Sequence, residues 1–117
     1  MPSRQRGIQA LHDIREHIAL ARDWLGQATA EELAADSVRF YALVRCLEVI
    51  SEAARRLDPA MRARHPEQPW QQIMGAGNVF RHDYQNVAVI LVWRTVRNAL
   101  PSLLAVVERE IAASDGS

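Results

Sequence analysis

At 117 residues, 49% hydrophobic and 24% charged, the chain is long enough to bury one modest core and too short for two, so it reads as a single globular domain over residues 1–117 with flexible ends near 1–6 and 114–117. Its fourteen basic residues, all of them arginine, balance fourteen acidic ones, which excludes recruitment of nucleic acid or an anionic membrane by an overall field and leaves only local patches of planar, phosphate-matching guanidinium groups. The sole cysteine, Cys46, excludes an internal disulfide and fits a reducing cytoplasm; the polar N-terminus shows no signal peptide, and no apolar run approaches the roughly 18 residues of a membrane span, so no membrane partner is expected.

In chain order, Ile8, Leu11, Ile14, Ile18, Ala21 and Leu25 recur at three- and four-residue spacing and draw one stripe down a helix over about 7–27. Gly26 marks its stop, and Thr29-Ala30-Glu31-Glu32 has the capping-box pattern that starts a short helical turn. Asp36 or Ser37 caps a second long helix with the stripe Phe40, Val44, Leu47, Ile50, Ala54 and Leu57. Asp58-Pro59 pairs an N-cap with proline at the first helical position and opens a short helix that Pro66 ends. Pro69-Trp70 opens the next in the same way, with Trp70, Ile73, Met74 and Phe80 facing inward. Asn86 caps a last helix with the stripe Val89, Trp93, Val96, Leu100, Leu103 and Val107. Pro101 falls inside that stripe and has no amide to offer the carbonyl of Arg97, which predicts a kink or a break there. No stretch alternates with period two, so the fold class is all-α, an up-and-down bundle of about four to five helices in which Trp24, Trp70 and Trp93 are core anchors.

The chemistry concentrates in one stretch, Gly75-Ala76-Gly77-Asn78-Val79-Phe80-Arg81-His82-Asp83-Tyr84, where a guanidinium, an imidazole, a carboxylate and a phenol are consecutive beside a glycine pair. On a helix Asn78 shares a face with His82, and Gly77 with Arg81, while Arg81 and His82 diverge by about 100° and converge on one ligand only where the helix ends. Each glycine costs a helix interior roughly 1 kcal/mol against alanine, so a reason such as close backbone approach is to be sought.

The ordered set Ile50-Ser51-Glu52-Ala53-Ala54, Pro69-Trp70, Gly75 with Asn78, His82 and Tyr84, Val92-Trp93 and Leu100-Pro101 resembles the HepT-like family of bacterial HEPN-domain proteins over about residues 8–111. That family's hallmark is an arginine, four to six residues, a histidine, any residue and a tyrosine. His82-Asp83-Tyr84 matches its second half; where an arginine followed by asparagine commonly stands, this chain has Gly77-Asn78. The resemblance implies a HEPN-like helical domain that forms a homodimer with two motifs facing across a cleft, and metal-independent ribonuclease activity in a toxin paired with a small MntA-like nucleotidyltransferase antitoxin that adenylylates the tyrosine. By that carry-over His82 transfers protons and Tyr84 is modified; Asn78 is the motif's asparagine. Arg81 matches no family position, and giving it the absent arginine's role is an inference from chemistry.

That chemistry stands without the resemblance: cleavage of RNA by its own 2′-hydroxyl needs a base near neutral pKa and a cation on the phosphorane, which His82 and Arg81 supply with no metal or cofactor. Asp83 either orients the imidazole or balances Arg81. The alternative function is a catalytically degenerate HEPN module that dimerises and binds the nucleotidyltransferase; a plain structural dimer is a third. Plainer roles are Asn78 bonding a neighbouring helix and Tyr84 packing at the rim of the bundle. Arg55, Arg56, Arg62, Arg64 and His65 form a basic cluster that either meets RNA phosphate or is a solvated face paired with Glu52, Asp58 and Glu67. Glu52 itself is expected to salt-bridge an arginine from another helix. His12 and His17, five apart with no cysteine near, do not make a zinc site.

Overall fold

The computed structural model describes residues 3–79 and 85–115, with side chains from 5–76 and 88–114. Everything described is helix or short connection, without a strand. Helix α1 runs Ser3–Leu25, α2 Ala30–Ala34, α3 Ser37–Arg55, α4 Pro59–Ala63, α5 Trp70–Val79 and α6 Gln85–Arg94. A π-helical turn over Thr95–Ala99 then joins α6 to α7, Leu100–Asp115. The bundle thus has four rods, α1, α3, α5 and the continuous α6–π–α7, linked by one-turn connectors.

The apolar stripes become the core. Ile14, Ile18 and Ala21 of α1 are fully enclosed, as are Leu33 of α2, Leu43 of α3, and Val92 and Val107 of the last rod. Truncating any large member of this set to alanine typically costs about 2–5 kcal/mol, because a close-packed interior collapses only partly around the void. α1 lies along α3, α3 carries α5 on its other flank, α7 packs back on α1, and α2 closes over α6.

The stop and start signals act as their chemistry requires. Gly26 takes a left-handed φ of 55° and its amide bonds the carbonyl of Arg22, closing α1. The Thr29–Glu32 capping box is reciprocal, 3.1 Å from the Glu32 amide to Thr29 Oγ1 and 3.0 Å from the Thr29 amide to Glu32 Oε1. Asp36 accepts from the Arg39 amide and Asp58 from the Ala60 amide, each satisfying an orphan donor of the helix it opens.

Three expectations are corrected. α6 includes Asn86, so the helix begins ahead of it rather than at it. Pro101 does not break the last rod: the Leu100 amide reaches back five residues to the carbonyl of Thr95, and this widened turn shifts the ladder one residue ahead of the proline, where an i−4 partner would be lost and its carbonyl would clash. Trp24 is not a core anchor but 46% exposed, since it sits about 100° round the helix from Leu25 and outside the buried stripe. Trp70 and Trp93 do pack against the core.

The helical stretch Ala88–Ser114 is long and apolar enough to span a membrane by length and composition, contrary to the sequence reading. Its apolar face, Val89, Val92, Val96, Leu100, Leu103, Val107 and Ile111, is buried in the bundle, whereas Ile90 and Leu91 are exposed and a third of the most apolar window is buried.

Candidate functional site

The described helices bracket the reactive run. α5 carries Gly75, Gly77 and Asn78 to its end at Val79, and α6 resumes at Gln85. Arg81, His82, Asp83 and Tyr84 lie outside the described residues, as does Phe80; Asn78 is placed on the last turn of α5. What the structure defines is how that last turn is held.

Two side chains of α3, one turn apart, grip consecutive carbonyls of α5. The Ser51 hydroxyl donates to the carbonyl of Ile73 and the Arg55 guanidinium to that of Met74. Ser51 is 1% exposed, a polar side chain that its hydrogen bonding makes tolerable in the core. Arg62 of α4 adds a third grip, donating to the carbonyl of Ala54 at 3.1 Å and to Met74 Sδ at 3.2 Å. The start of α5 is fixed separately: Trp70 Nε1 donates to the carbonyl of His65, and the buried Gln68 amide donates to Ser102 Oγ of α7. On the α6 side, Trp93 Nε1 and Arg97 both donate to the carbonyl of Ala28, at 2.9 and 3.1 Å, while the Arg97 guanidinium lies 5.5 Å above the Trp93 ring.

Among the described residues the basic cluster around α4 sorts into members with and without a carboxylate partner, and of the expected Glu52, Asp58 and Glu67 only Glu67 comes within ion-pair distance. Arg56 pairs with Asp13 of α1 at 2.9 Å. Arg64 and His65 both meet Glu110 of α7 at 2.6 Å, with Glu67 3.7 Å from the other ring nitrogen of His65. Hydrogen bonds from Arg64, then from His65, hold the Glu110 carboxyl below its usual range in spite of partial burial. Neither Arg55 nor Arg62 has a carboxylate within ion-pair distance among the described residues, and Glu52 makes no ion pair among them either.

A cavity of about 160 Å³ lies behind α5, lined by Ser51, Ile73, Ala76, Thr95, Leu100 and Ser102. A larger groove of about 430 Å³, with Arg22, Asp23, Arg97 and Pro101 on its walls, lies between α1 and α7 and has no lining residue from α5. Among the described residues no three of His, Cys, Asp and Glu converge on a metal position. Burial pushes the Cys46 thiol up, away from the thiolate a nucleophile requires.

The sequence places Arg55 in a basic cluster and Ser51 in the set that carries the resemblance, but not the hold of either on α5. Their four-residue spacing on one face of α3 was available, but nothing in the sequence states which helix that face meets.

This is an all-helical bundle whose reactive run falls between its third and fourth rods. The family model described as "Ribonuclease HepT-like" matches residues 14–110, and the chain belongs to that family. It is 32% identical over 93 residues to a Thermococcus cleftensis protein named "Probable ribonuclease HepT", covering 80% of this chain and 84% of that one. Two Methanocaldococcus jannaschii proteins with provisional RNase names are each 30% identical, one over 105 residues, 89% of this chain and 96% of the relative, the other over 113 residues, 96% and 93%. No solved structure matches the chain.

Proposed function

We propose that the chain is a metal-independent endoribonuclease, the toxin component of a toxin–antitoxin pair, acting in the cytoplasm as a homodimer with a composite site across the dimer cleft. The observation that carries this reading is the family match over residues 14–110, which spans the run Arg81-His82-Asp83-Tyr84. His82 accepts the 2′-hydroxyl proton and Arg81 meets the charge that builds on the phosphorane. Asn78 and Asp83 support them, and Tyr84 is the residue that an MntA-like nucleotidyltransferase antitoxin adenylylates. In excess chelator, wild type is expected to cleave RNA and His82→Ala to lose at least a hundredfold, in keeping with the usual contribution of a general base. Equal activity in the two chains, or none in either, would sink the reading.

Gly77 favours a second reading. With no arginine at that position, the chain is a degenerate module that dimerises and binds the nucleotidyltransferase without cutting RNA. Incubation with a cognate nucleotidyltransferase and ATP then adds the mass of one adenylyl group at Tyr84, while wild type shows no His82-dependent cleavage. Absence of both complex and adduct counts against this alternative.

A further inference from the structure

Of the basic side chains around α4, Arg56, Arg64 and His65 each meet a carboxylate within the fold and Arg62 is half-buried against Met74. Arg55 is exposed, at the end of α3, with no carboxylate in ion-pair reach among the described residues. It is nevertheless fixed in place, because one of its amino groups donates to the carbonyl of Met74. In the α-helical ladder that carbonyl is the partner of the Asn78 amide, so the guanidinium is anchored one turn from Asn78, on the turn that leads into the reactive run. Arg62 approaches Met74 as well, and the two cations gather at this point with no acidic counter-charge within 4.0 Å among the described residues. A guanidinium carries five N–H donors in a rigid fork, so donation to one carbonyl leaves most of them for a planar anion.

We propose that Arg55 is a phosphate-binding residue for RNA, a cation delivered from α3 to the turn of α5 whose own sequence has Gly77. The inference rests on the ribonuclease reading for its substrate, but its test does not depend on cleavage. Tethering through Met74 removes most of the side-chain entropy that a free arginine loses on binding, and with no ion-pair partner among the described residues no salt bridge to them must break first.

The experiment measures binding of a single-stranded RNA oligonucleotide to full-length His82→Ala protein by fluorescence anisotropy over a range of salt concentrations. Adding Arg55→Gln, which removes the charge and keeps a polar side chain, is expected to weaken binding roughly tenfold at low salt and to reduce the slope of log affinity against log salt by about 0.7, the value for one phosphate contact on a single strand. Arg56→Gln, which disrupts only the pair with Asp13, leaves the slope unchanged. Arg55→Lys keeps the charge and therefore the slope, and thermal unfolding of each variant reports whether α5 has come loose. An unaltered slope in folded Arg55→Gln overturns the proposal, and so does a loss of slope in Arg55→Lys equal to that in Arg55→Gln. Arg55-dependent binding with no cleavage by wild type retires the ribonuclease reading alone; His82-dependent cleavage with Arg55-independent binding retires this inference alone.

Discussion

Glu110 takes hydrogen bonds from two side chains at once, and the two differ in worth. The Arg64 arm is 57% exposed and contributes little after solvent screening, whereas His65 and Glu110 are 12% and 13% exposed and their 2.6 Å bond is sheltered. Through His65, whose carbonyl accepts from Trp70 Nε1, this pair ties the start of α5 to α7. Glu110→Gln is expected to cost about 1–2 kcal/mol at neutral pH, read as a lower urea midpoint with unchanged m-value. The sign of the pH dependence follows from the depressed carboxyl: a group whose folded-state pKa lies below its ordinary value of 4.5 stabilises fully above that value and ceases to as pH falls through the folded one. The gap between wild type and Glu110→Gln should therefore be full at pH 7 and close under acid conditions below pH 4.5. A gap that persists undiminished there would mean that packing, not charge, sets the cost.

The carbonyl of Ala28 is a second such point, because two donors from the last rod share it. Trp93→Phe keeps the ring under Arg97 and removes one donor, leaving the carbonyl still satisfied by Arg97. The expected loss is about 0.5–1.5 kcal/mol by chemical denaturation, and combination with Arg97→Met should exceed the sum of the single effects, since only the double variant leaves the carbonyl without either side chain.

At the scale of elements, most of the architecture was legible because it is written locally. Periodicity placed the stripes of α1, α3 and α7, and caps at Thr29, Asp36 and Asp58 marked helix starts within a residue, each through a side-chain oxygen that an orphan amide demands. What failed depends on more than one turn. Pro101 predicts a defect, and it is there as the widened turn Thr95–Ala99 rather than a break, with Val96, Leu100 and Leu103 all still buried along the rod. Trp24 was assigned to the core by residue type, where its angle round α1 argued otherwise. The grips of Ser51 and Arg55 on α5 need the α3–α5 pairing, which no local signal contains, and the reactive residues 81–84 were legible as a motif only.

Gly75 was expected to answer to close backbone approach, yet a Cβ added there meets nothing within 4 Å, and its φ is not positive. Nothing among the described residues compensates its helix cost. Gly75→Ala should therefore stabilise the isolated chain by about 0.5–1 kcal/mol, seen as a higher denaturation midpoint. If the open space at this position receives a second molecule in the functional state, the same substitution lowers dimer affinity or RNA cleavage while raising monomer stability, and that divergence is the diagnostic. A rise in both would show that the glycine serves neither.

For the whole molecule, zero net charge makes the location of the cations that lack a carboxylate partner among the described residues matter more than their number. The fold neutralises Arg56 and Arg64 on surfaces formed with α1 and α7, and leaves Arg55 free of a carboxylate partner, among the described residues, where α3 meets α5. A weak, local field of this kind steers RNA poorly from a distance, so a productive encounter gains if two copies place their cations on one strand. The composite-site reading makes this measurable through dilution. Below the dimer dissociation constant, cleavage per chain should fall in proportion to protein concentration, and added His82→Ala chain should suppress the remaining activity by forming mixed dimers. Specific activity that stays constant from micromolar to nanomolar protein, in a preparation that sedimentation shows to be dissociating over that range, would place the whole reaction within a single chain.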